Sequence, residues 1–268
     1  MILLFPLFAL MMDSWPRVQA LSAELDLDAP PPTEPLLLAG RLWNLDFKGG
    51  EFSIHGTPII VQETSNSGAG TGLTVWDGSL VLAKHLEARH ASMAGQSVLE
   101  LGCGPALAGL TAAALGADVI LTDLEYALDG VRSAVLANAG SLRGRVDVAE
   151  LDWTNPTATS IASRALKADW VIASDVVWVE ELVAPLAHTL GWLASRPGAA
   201  PKMLIAHQTR TQRSDEAFAR ELAAVGLKAR PLPRKEHHPV FTAKNIELLR
   251  VERIRDGGEA GAGEAGAV

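Results

Sequence analysis

Short apolar runs alternate with longer segments of helical spacing from residue 97 to about residue 225. The runs SVLEL, DVILTD, RVDVAEL, ADWVIASD and KMLIAHQ read as strands, and their near-continuous apolar stretches are typical of strands buried on both faces. Two later runs, LKARPLP and NIELLRVERI, have no helix between them, so we expect them to pair antiparallel at one edge. This order predicts an α/β fold: a mostly parallel sheet with an antiparallel edge strand and helices on both faces.

Four regions of different composition follow one another along the chain. Residues 1–40 combine an apolar start with the proline-rich stretch APPPTEP and are predicted to be poorly ordered. Residues 41–73 read as an N-terminal β-hairpin extension: LWNLDF as a strand, a Gly-Gly turn in KGGEF, two short strands about a His-Gly turn in FSIHGTPII, and a flexible loop in SNSGAGTG. Residues 74–255 are predicted to form the α/β domain, and the Gly/Ala/Glu tail 256–268 to be disordered.

Capping residues mark the predicted helix boundaries. Asp77 and Ser214 stand near the starts of two helical segments, where a short polar side chain can satisfy free backbone N–H groups. Gly116 and Gly226 follow the last apolar residues of two others, as expected for a helix that ends in a left-handed residue.

Composition limits the function classes. The chain has 268 residues, 48% of them hydrophobic, with a formal net charge of −8 and a pI near 5.4. A nucleic-acid partner would favour a basic face, so none is expected, whereas an acidic protein suits a cationic substrate. A single cysteine excludes an internal disulfide and fits the cytoplasm, and the location could extend to the nucleus. No large apolar stripe is left over, which favours a monomer.

The apolar stretch MILLFPLFALMM at residues 1–12 is too short to span a bilayer as a helix, so no membrane partner is expected. No basic residue precedes it, as one would in a signal peptide. The preferred interpretation is an upstream start, with Met11 or Met12 as an alternative initiator.

The loop in ELGCGPALAG follows the first strand of the alternation. Ligands of doubly wound sheets bind beyond the carboxyl ends of the strands, and the glycines at 102 and 104 let a ligand approach the backbone. A dinucleotide fingerprint would need glycine at position 107, which is leucine, and Pro105 removes an N–H that a pyrophosphate would use. Glu100 adds a negative charge near the place of a phosphate, which counts against a phosphate-bearing ligand and does not count against a cofactor that carries an amine and a sulfonium.

The second strand ends in LTD, nineteen residues past Gly104. A carboxylate at that strand end can accept hydrogen bonds from both ribose hydroxyls, as Asp123 would. The alternative is that Asp123 caps the helix that follows, and the two roles are compatible.

Four motifs in order give a resemblance to a known family. Glu-x-Gly-x-Gly resembles motif I of seven-strand S-adenosylmethionine-dependent methyltransferases, and TVWDGSLVLAKHLE, LDW and SDVVW are similar to the protein-lysine methyltransferases of methyltransferase-like family 21. The resemblance covers roughly residues 41–252. It implies a Rossmann-like seven-stranded sheet, S-adenosyl-L-methionine as cofactor and a lysine ε-amine of a protein as methyl acceptor. The cofactor contacts that it implies are Trp76, Glu100, Gly102, Cys103, Gly104, Asp123, Trp153 and Ser174.

The same resemblance implies catalytic roles for Asp175, which would hold the substrate amine, and Trp178. The family has acid-x-x-Tyr or Phe at this point, and Trp178 departs from it by offering a bulkier ring without a hydroxyl. A structural strand-end role for Asp175 stays open. His237 and His238 lack further ligand spacing, so no metal is predicted.

The sequence has three alternative functional interpretations. The chain could methylate a small molecule or another protein atom, such as a histidine nitrogen. It could also be a degenerate cofactor fold that serves as an interaction module. A dinucleotide enzyme is disfavoured by Leu107 and Pro105.

Overall fold

A computed structural model describes residues 42–63 and 71–254. The apolar start, the proline-rich arm, most of the SNSGAGTG loop and the Gly/Ala/Glu tail lie outside the described residues. The strands are β1 Ser53–Ile54, β2 Thr57–Pro58, β3 Ser97–Leu101, β4 Asp118–Asp123, β5 Val146–Glu150, β6 Trp170–Ser174, β7 Lys202–Gln208, β8 Leu227–Pro231 and β9 Ile246–Arg253. The α-helices are α1 Asp77–Arg89, α2 Leu107–Ala114, α3 Glu125–Ala137, α4 Ala162–Ala165, α5 Glu180–Ala194 and α6 Gln212–Ala224.

The seven strands β3 to β9 form one sheet in the order β5-β4-β3-β6-β7-β9-β8. Strands β3 to β7 are parallel, and β9 runs antiparallel to both of its neighbours. The predicted Rossmann-like α/β fold is therefore confirmed, with the antiparallel strand next to the outermost one. The chain leaves β3 toward β5 and returns to β6, so the strand order reverses between β3 and β6, where doubly wound folds bind ligands.

Two apolar cores cover the two faces of this sheet. Successive strand residues point to opposite faces, and β3 shows this directly because Val98 belongs to one core and Leu99 to the other. Helices α1, α2 and α3 contribute to the first core. Helices α4, α5 and α6 contribute to the second. Burial on both faces explains the continuous apolar runs of the sequence.

The N-terminal extension contains less strand than predicted. Residues 43–46 have no regular structure, so LWNLDF is not a strand, and Gly49 and Gly50 lie in a turn without flanking strands. Strands β1 and β2 pair antiparallel about His55 and Gly56, as predicted, and both turn residues have positive φ. The strand prediction for 43–46 was wrong because its alternation is satisfied by packing of Trp43 and Leu45 against the core without a partner strand.

Two of the predicted helix caps were also wrong. Helix α1 begins at Asp77 itself, whose Oδ2 accepts a hydrogen bond from the Leu42 backbone N–H, and the helix has no side-chain cap. Helix α6 is capped by Thr211, whose side chain accepts from the Ser214 N–H. The predicted helix ends at Gly116 and Gly226 are confirmed, since both glycines follow helices with positive φ.

Across the part of the chain that the structure describes, no helix combines the length and the apolar character that crossing a membrane requires.

Candidate active site

The loop after β3 has a backbone that only small residues allow. Gly102 and Gly104 have φ of 61° and 51°, in the left-handed region. A Cβ at Gly102 would lie 3.0 Å from the Trp153 ring, and one at Gly104 would lie 3.0 Å from the Gly72 carbonyl oxygen. Side chains at these two positions would therefore collide with Trp153 and with the Gly72 carbonyl, and the approach of a ligand to this backbone stays a prediction.

Asp123 ends β4 beside this loop. Its Oδ2 accepts a hydrogen bond from the Gly104 N–H at 2.8 Å, and its Oδ1 accepts one from the Leu124 N–H at 2.8 Å. Burial raises the pKa of Asp123. The structure thus brings the predicted ribose acceptor and the glycine loop together, and the ribose contact itself stays a prediction.

Trp153 lies on the other side of the loop. Two of its ring carbons come within 3.3 Å of the place of a Gly102 Cβ, and a methyl of Val176 comes within 3.2 Å. Trp153 follows β5 and Val176 follows β6, so residues from three strand ends meet at Gly102. The predicted adenine neighbour is in place beside the loop, whereas its stacking on a base is untested.

Glu100 points away from the loop surface. The side chain is 1% exposed, and its Oε2 accepts a hydrogen bond from the Gly109 N–H of α2 at 2.9 Å. Burial raises the pKa of Glu100 to about 8. These contacts tie β3 to α2, and a direct contact of Glu100 with a cofactor remains a prediction.

Cys103 is a buried free thiol. Its backbone N–H donates to the Thr122 carbonyl, which links the loop to β4. Burial, together with the Asp123 carboxylate, raises the pKa of the Cys103 thiol. A protonated thiol in this position is a small filler residue and a poor nucleophile, in agreement with the prediction that Cys103 only lines the site.

Asp175 follows β6 and has a strained backbone, with φ of 53° at a residue other than glycine. Its side chain is 4% exposed. Oδ2 accepts a hydrogen bond from the Gly78 N–H at 3.0 Å, whereas Oδ1 is buried and has no hydrogen-bond partner among the described residues. Burial raises the pKa of Asp175, and the nearby Arg210 guanidinium acts in the opposite direction.

Trp76 lies at the start of α1, beside Asp175. The residue is half-buried, and the Arg210 guanidinium lies 5.2 Å from the centroid of its ring. Gly78, two positions on, is held close to Asp175: a Cβ there would lie 2.5 Å from Asp175 Oδ2. The start of α1 and the end of β6 therefore meet at Asp175, and we call the group formed by Trp76, Gly78, Asp175 and Arg210 the Asp175 recess.

The remaining two predicted site residues lie on the same segment. Ser174 is the last residue of β6 and is half-buried. Trp178 is 38% exposed, between the buried Val177 and the start of α5. An exposed tryptophan three residues after a buried carboxylate can meet an incoming side chain from solvent, which is consistent with the predicted role.

Three carboxyl groups, Glu100, Asp123 and Asp175, lie at the carboxyl end of the sheet, and burial raises the pKa of each. The ionised form of such a group is stabilised by a nearby positive charge, so Asp123 and Asp175, which do not point into α2, favour cationic groups over phosphates. This agrees with the sequence, which counts against a phosphate-bearing ligand.

Three residues of the site were missed by sequence reasoning. Gly78 stands inside the VWDGS motif, whose spacing indicates only a helix start, and Arg210 stands in a polar loop where a cation is normally solvated. Tyr126 also joins the site, because its Oη would lie 2.7 Å from a Cβ at Gly72. Sequence spacing carries no signal for these contacts, which join segments far apart along the chain.

A cavity of about 700 Å³ lies at the opposite end of the sheet. Its lining includes Trp170 and Lys202, which begin β6 and β7, and His85 and His90 from the end of α1. None of the predicted site residues lines it. This cavity is therefore separate from the candidate site, which lies at the carboxyl ends of the strands.

Comparisons with known proteins bear on this site. A family described as lysine methyltransferase matches residues 55–224, more than half of the chain. Protein-lysine N-methyltransferase EEF2KMT from Mus musculus is 32% identical over 67% of this chain and 59% of its own length. EEF1A lysine methyltransferase 3 from Mus musculus is 29% identical over 65% of this chain and 72% of its own length.

Protein N-lysine methyltransferase METTL21A from Mus musculus is 35% identical over 47% of this chain and 57% of its own length. The alignments thus span less than two thirds of the length of two of these three relatives. The matched range contains the glycine loop, Asp123, Trp153 and Asp175, so it includes the candidate active site. The predicted resemblance is confirmed, and the chain belongs to the lysine methyltransferase family.

Proposed function

We propose that this protein transfers a methyl group from S-adenosyl-L-methionine to the ε-amine of a lysine in a protein substrate. The observation that carries the proposal is the recess at Asp175, where a buried carboxylate oxygen has no hydrogen-bond partner among the described residues and the neighbouring Arg210 guanidinium lies over the Trp76 ring. Family membership and the names of the relatives support the same reaction.

The residues present fit this cofactor. The glycine loop can receive its methionine part, Asp123 can accept from its ribose hydroxyls once it releases the Gly104 and Leu124 N–H groups, and Trp153 can pack on its adenine. When bound, the cofactor supplies an electrophilic methyl on a sulfonium whose remainder leaves as a neutral thioether. Trp76 and Ser174 complete the predicted cofactor contacts.

The protein mainly aligns the acceptor and controls its proton. A free lysine amine has a pKa near 10.4, so at neutral pH it arrives as the ammonium. Asp175 Oδ1 can accept an N–H of that ammonium and later share its proton. The faces of the Trp178 and Trp76 rings can hold the cation. Exclusion of water lowers the pKa of the amine and so favours the neutral form that reacts. Orientation of the nitrogen lone pair toward the methyl group is the remaining requirement.

The test is an assay with isotopically labelled S-adenosylmethionine in a lysate of cells that lack the enzyme. We expect label in one or a few protein bands, mapped by mass spectrometry to lysine, with wild-type protein and none with Asp175→Asn. Label on a histidine nitrogen or in small metabolites would contradict the lysine assignment. Failure of the protein to bind the cofactor in calorimetry would contradict the enzyme assignment and favour an interaction module.

Finer features are part of the same proposal. We place the catalytic domain at residues 74–255, with 41–73 as an extension that contains the β1–β2 hairpin. We propose that the protein acts as a monomer in the cytoplasm, and that it binds neither membrane nor nucleic acid. The acidic net charge and the single buried thiol support these choices.

A further inference from the structure

Arg210 stands in the recess where the substrate amine would be held. It lies between β7 and α6, and its side chain is 34% exposed. One guanidinium nitrogen, Nη2, is 3.9 Å from Asp175 Oδ1, and the guanidinium carbon is 5.2 Å from the centre of the Trp76 ring. The recess of the free protein therefore already holds one cation.

The contact between the Arg210 guanidinium and the Asp175 carboxylate is long. A separation of 3.9 Å is too long for a hydrogen bond, so Asp175 Oδ1 stays buried without one among the described residues. By contrast, Arg213 on the neighbouring helix α6 contacts Glu180 at 2.8 Å. A buried carboxylate oxygen left without a donor costs free energy, and a cation that came closer would recover it.

We propose that Arg210 occupies, in the free enzyme, the cation site that the substrate ammonium takes, and that the ammonium displaces it. The inference rests on the proposed function. The same two groups, Asp175 Oδ1 and the face of Trp76, serve both cations. An ammonium on a slim alkyl chain can reach Oδ1 directly with one of its three donors, whereas the broader guanidinium stops short of it.

Displacement is feasible because the Arg210 side chain already reaches solvent at one side. It also has a consequence for affinity. A site that is filled by a resident group is competent for only part of the time, so the apparent affinity for an ammonium falls by that fraction. Arg210 is thus a gating residue that makes weak amines poor ligands and favours a lysine that is held by additional protein contacts.

The experiment measures binding of n-butylammonium chloride, a mimic of the lysine side chain, by calorimetry at about pH 8, where an alkylamine with a pKa near 10.4 is still an ammonium. Sodium chloride at equal ionic strength serves as the blank. We expect Arg210→Ala to bind n-butylammonium roughly tenfold more tightly than the wild type. Arg213→Ala is the matched control and should bind it as the wild type does, because that arginine pairs with Glu180 outside the recess. Asp175→Asn should lose the binding.

The outcomes separate a gate from a structural partner. If Arg210→Ala binds n-butylammonium no more tightly than the wild type, or not measurably, the proposal is overturned, and a lower melting temperature with it would show that Arg210 only stabilises Asp175. Undiminished binding to Asp175→Asn would place the amine elsewhere and overturn it too. These readouts need no methyl transfer, so they stay decisive even if the lysate assay finds no methylated lysine.

Discussion

The two ends of the parallel strands differ in the state of their buried polar groups. At the carboxyl end, burial raises the pKa of Glu100, Asp123 and Asp175, and one oxygen of Asp175 has no hydrogen-bond partner among the described residues. The backbone of Asp175 is strained there too, because φ is 53° at a residue other than glycine.

At the amino end, polar groups have partners. Burial lowers the pKa of His85 to about 4, and its Nδ1 lies 3.1 Å from the Glu236 carbonyl oxygen. The Arg89 guanidinium donates to the Glu236 carbonyl and Lys202 lies over the Trp170 ring at 4.8 Å. The neutral His85 and the cations of Arg89 and Lys202 therefore stabilise the fold through contacts within the protein.

The difference teaches that Asp175 sets the carboxyl end apart, because one of its oxygens has no hydrogen-bond partner among the described residues and its backbone is strained. The cavity of about 700 Å³ at the amino end does not by itself mark a site. A ligand that donates a hydrogen bond to Asp175 would recover free energy at the carboxyl end of the sheet, so substitutions there should change ligand binding and methyl transfer.

Asp175→Asn should have the largest effect. The amide keeps a similar shape and an oxygen for the Gly78 N–H, but it can neither attract an ammonium nor take its proton. We expect methyl transfer to fall by at least about a hundredfold, with cofactor affinity changed much less. Turnover equal to that of the wild type would remove the catalytic role of Asp175.

Glu100→Gln tests the carboxyl end of the sheet through the pH dependence of the free energy of unfolding. Burial raises the pKa of Glu100 from 4.5 in a free chain to about 8, so between these values the native state holds a proton that the unfolded chain has lost. The wild type must therefore lose stability as pH rises from about 4.5 to about 8. Glutamine keeps an acceptor for the Gly109 N–H and cannot ionise.

We expect Glu100→Gln to gain stability relative to the wild type by an amount on the order of 3 kcal/mol between pH 5 and pH 8. Urea unfolding of both proteins at several pH values measures it. Parallel stability curves for the two proteins would show that Glu100 does not keep its proton in the native state.

Asp123→Ala tests the ribose assignment at the same end of the sheet. Loss of a charged acceptor should weaken S-adenosylmethionine binding roughly tenfold, because a hydrogen bond to a charged group contributes about 1.5 kcal/mol or more. Asp118→Ala is the control, since Asp118 begins the same strand at its amino end and pairs with Arg145. Calorimetry that finds equal affinities for both variants would reject the assignment.

Gly78→Ala tests whether the close approach at Asp175 matters. A Cβ at position 78 would lie 2.5 Å from Asp175 Oδ2, so the carboxylate must move. We expect a several-fold loss of transfer at nearly unchanged cofactor affinity. Gly130→Ala in α3 meets nothing within 4 Å and should keep full activity and gain roughly 0.5–1 kcal/mol of stability. Equal activity of the two variants would contradict a positioning role for Gly78.

Lys202→Ala should have the smallest effect and defines the amino end. Loss of the contact with the Trp170 ring is expected to cost about 0.5 kcal/mol of stability, with cofactor affinity and transfer at wild-type values. Thermal unfolding and the transfer assay check both. A clear loss of cofactor affinity would show that the two ends of the sheet are coupled, and the comparison would fail.

Much of the fold followed from periodicity. Apolar runs of strand length, spaced by helical segments, predict the parallel strands, and the two closing runs without a helix predict the antiparallel pair. The prediction failed for LWNLDF, where alternation reflects packing of Trp43 and Leu45 on the core. It also failed for the caps at Asp77 and Ser214, because tertiary contacts and a neighbouring threonine satisfied those groups instead.

The candidate site divides in the same way. Gly102 and Gly104 follow β3, Asp123 ends β4 and Asp175 follows β6. Parallel strands end at one edge, so the placement of these residues at the same end of the sheet was predictable. Arg210 and Gly78 were not, because their contacts with Asp175 depend on how the loop after β7 and the start of α1 pack beside β6.

The amino-acid sequence by itself determined the order of strands and helices, the strand ends at which the glycines and carboxylates stand, and the family. Those properties depend on local pattern, which a linear chain records. Only the tertiary structure decided that Glu100 faces a helix, that one oxygen of Asp175 has no hydrogen-bond partner among the described residues and that Arg210 lies 3.9 Å from that oxygen. Burial and charge proximity are set by packing between distant segments, and no local spacing encodes them.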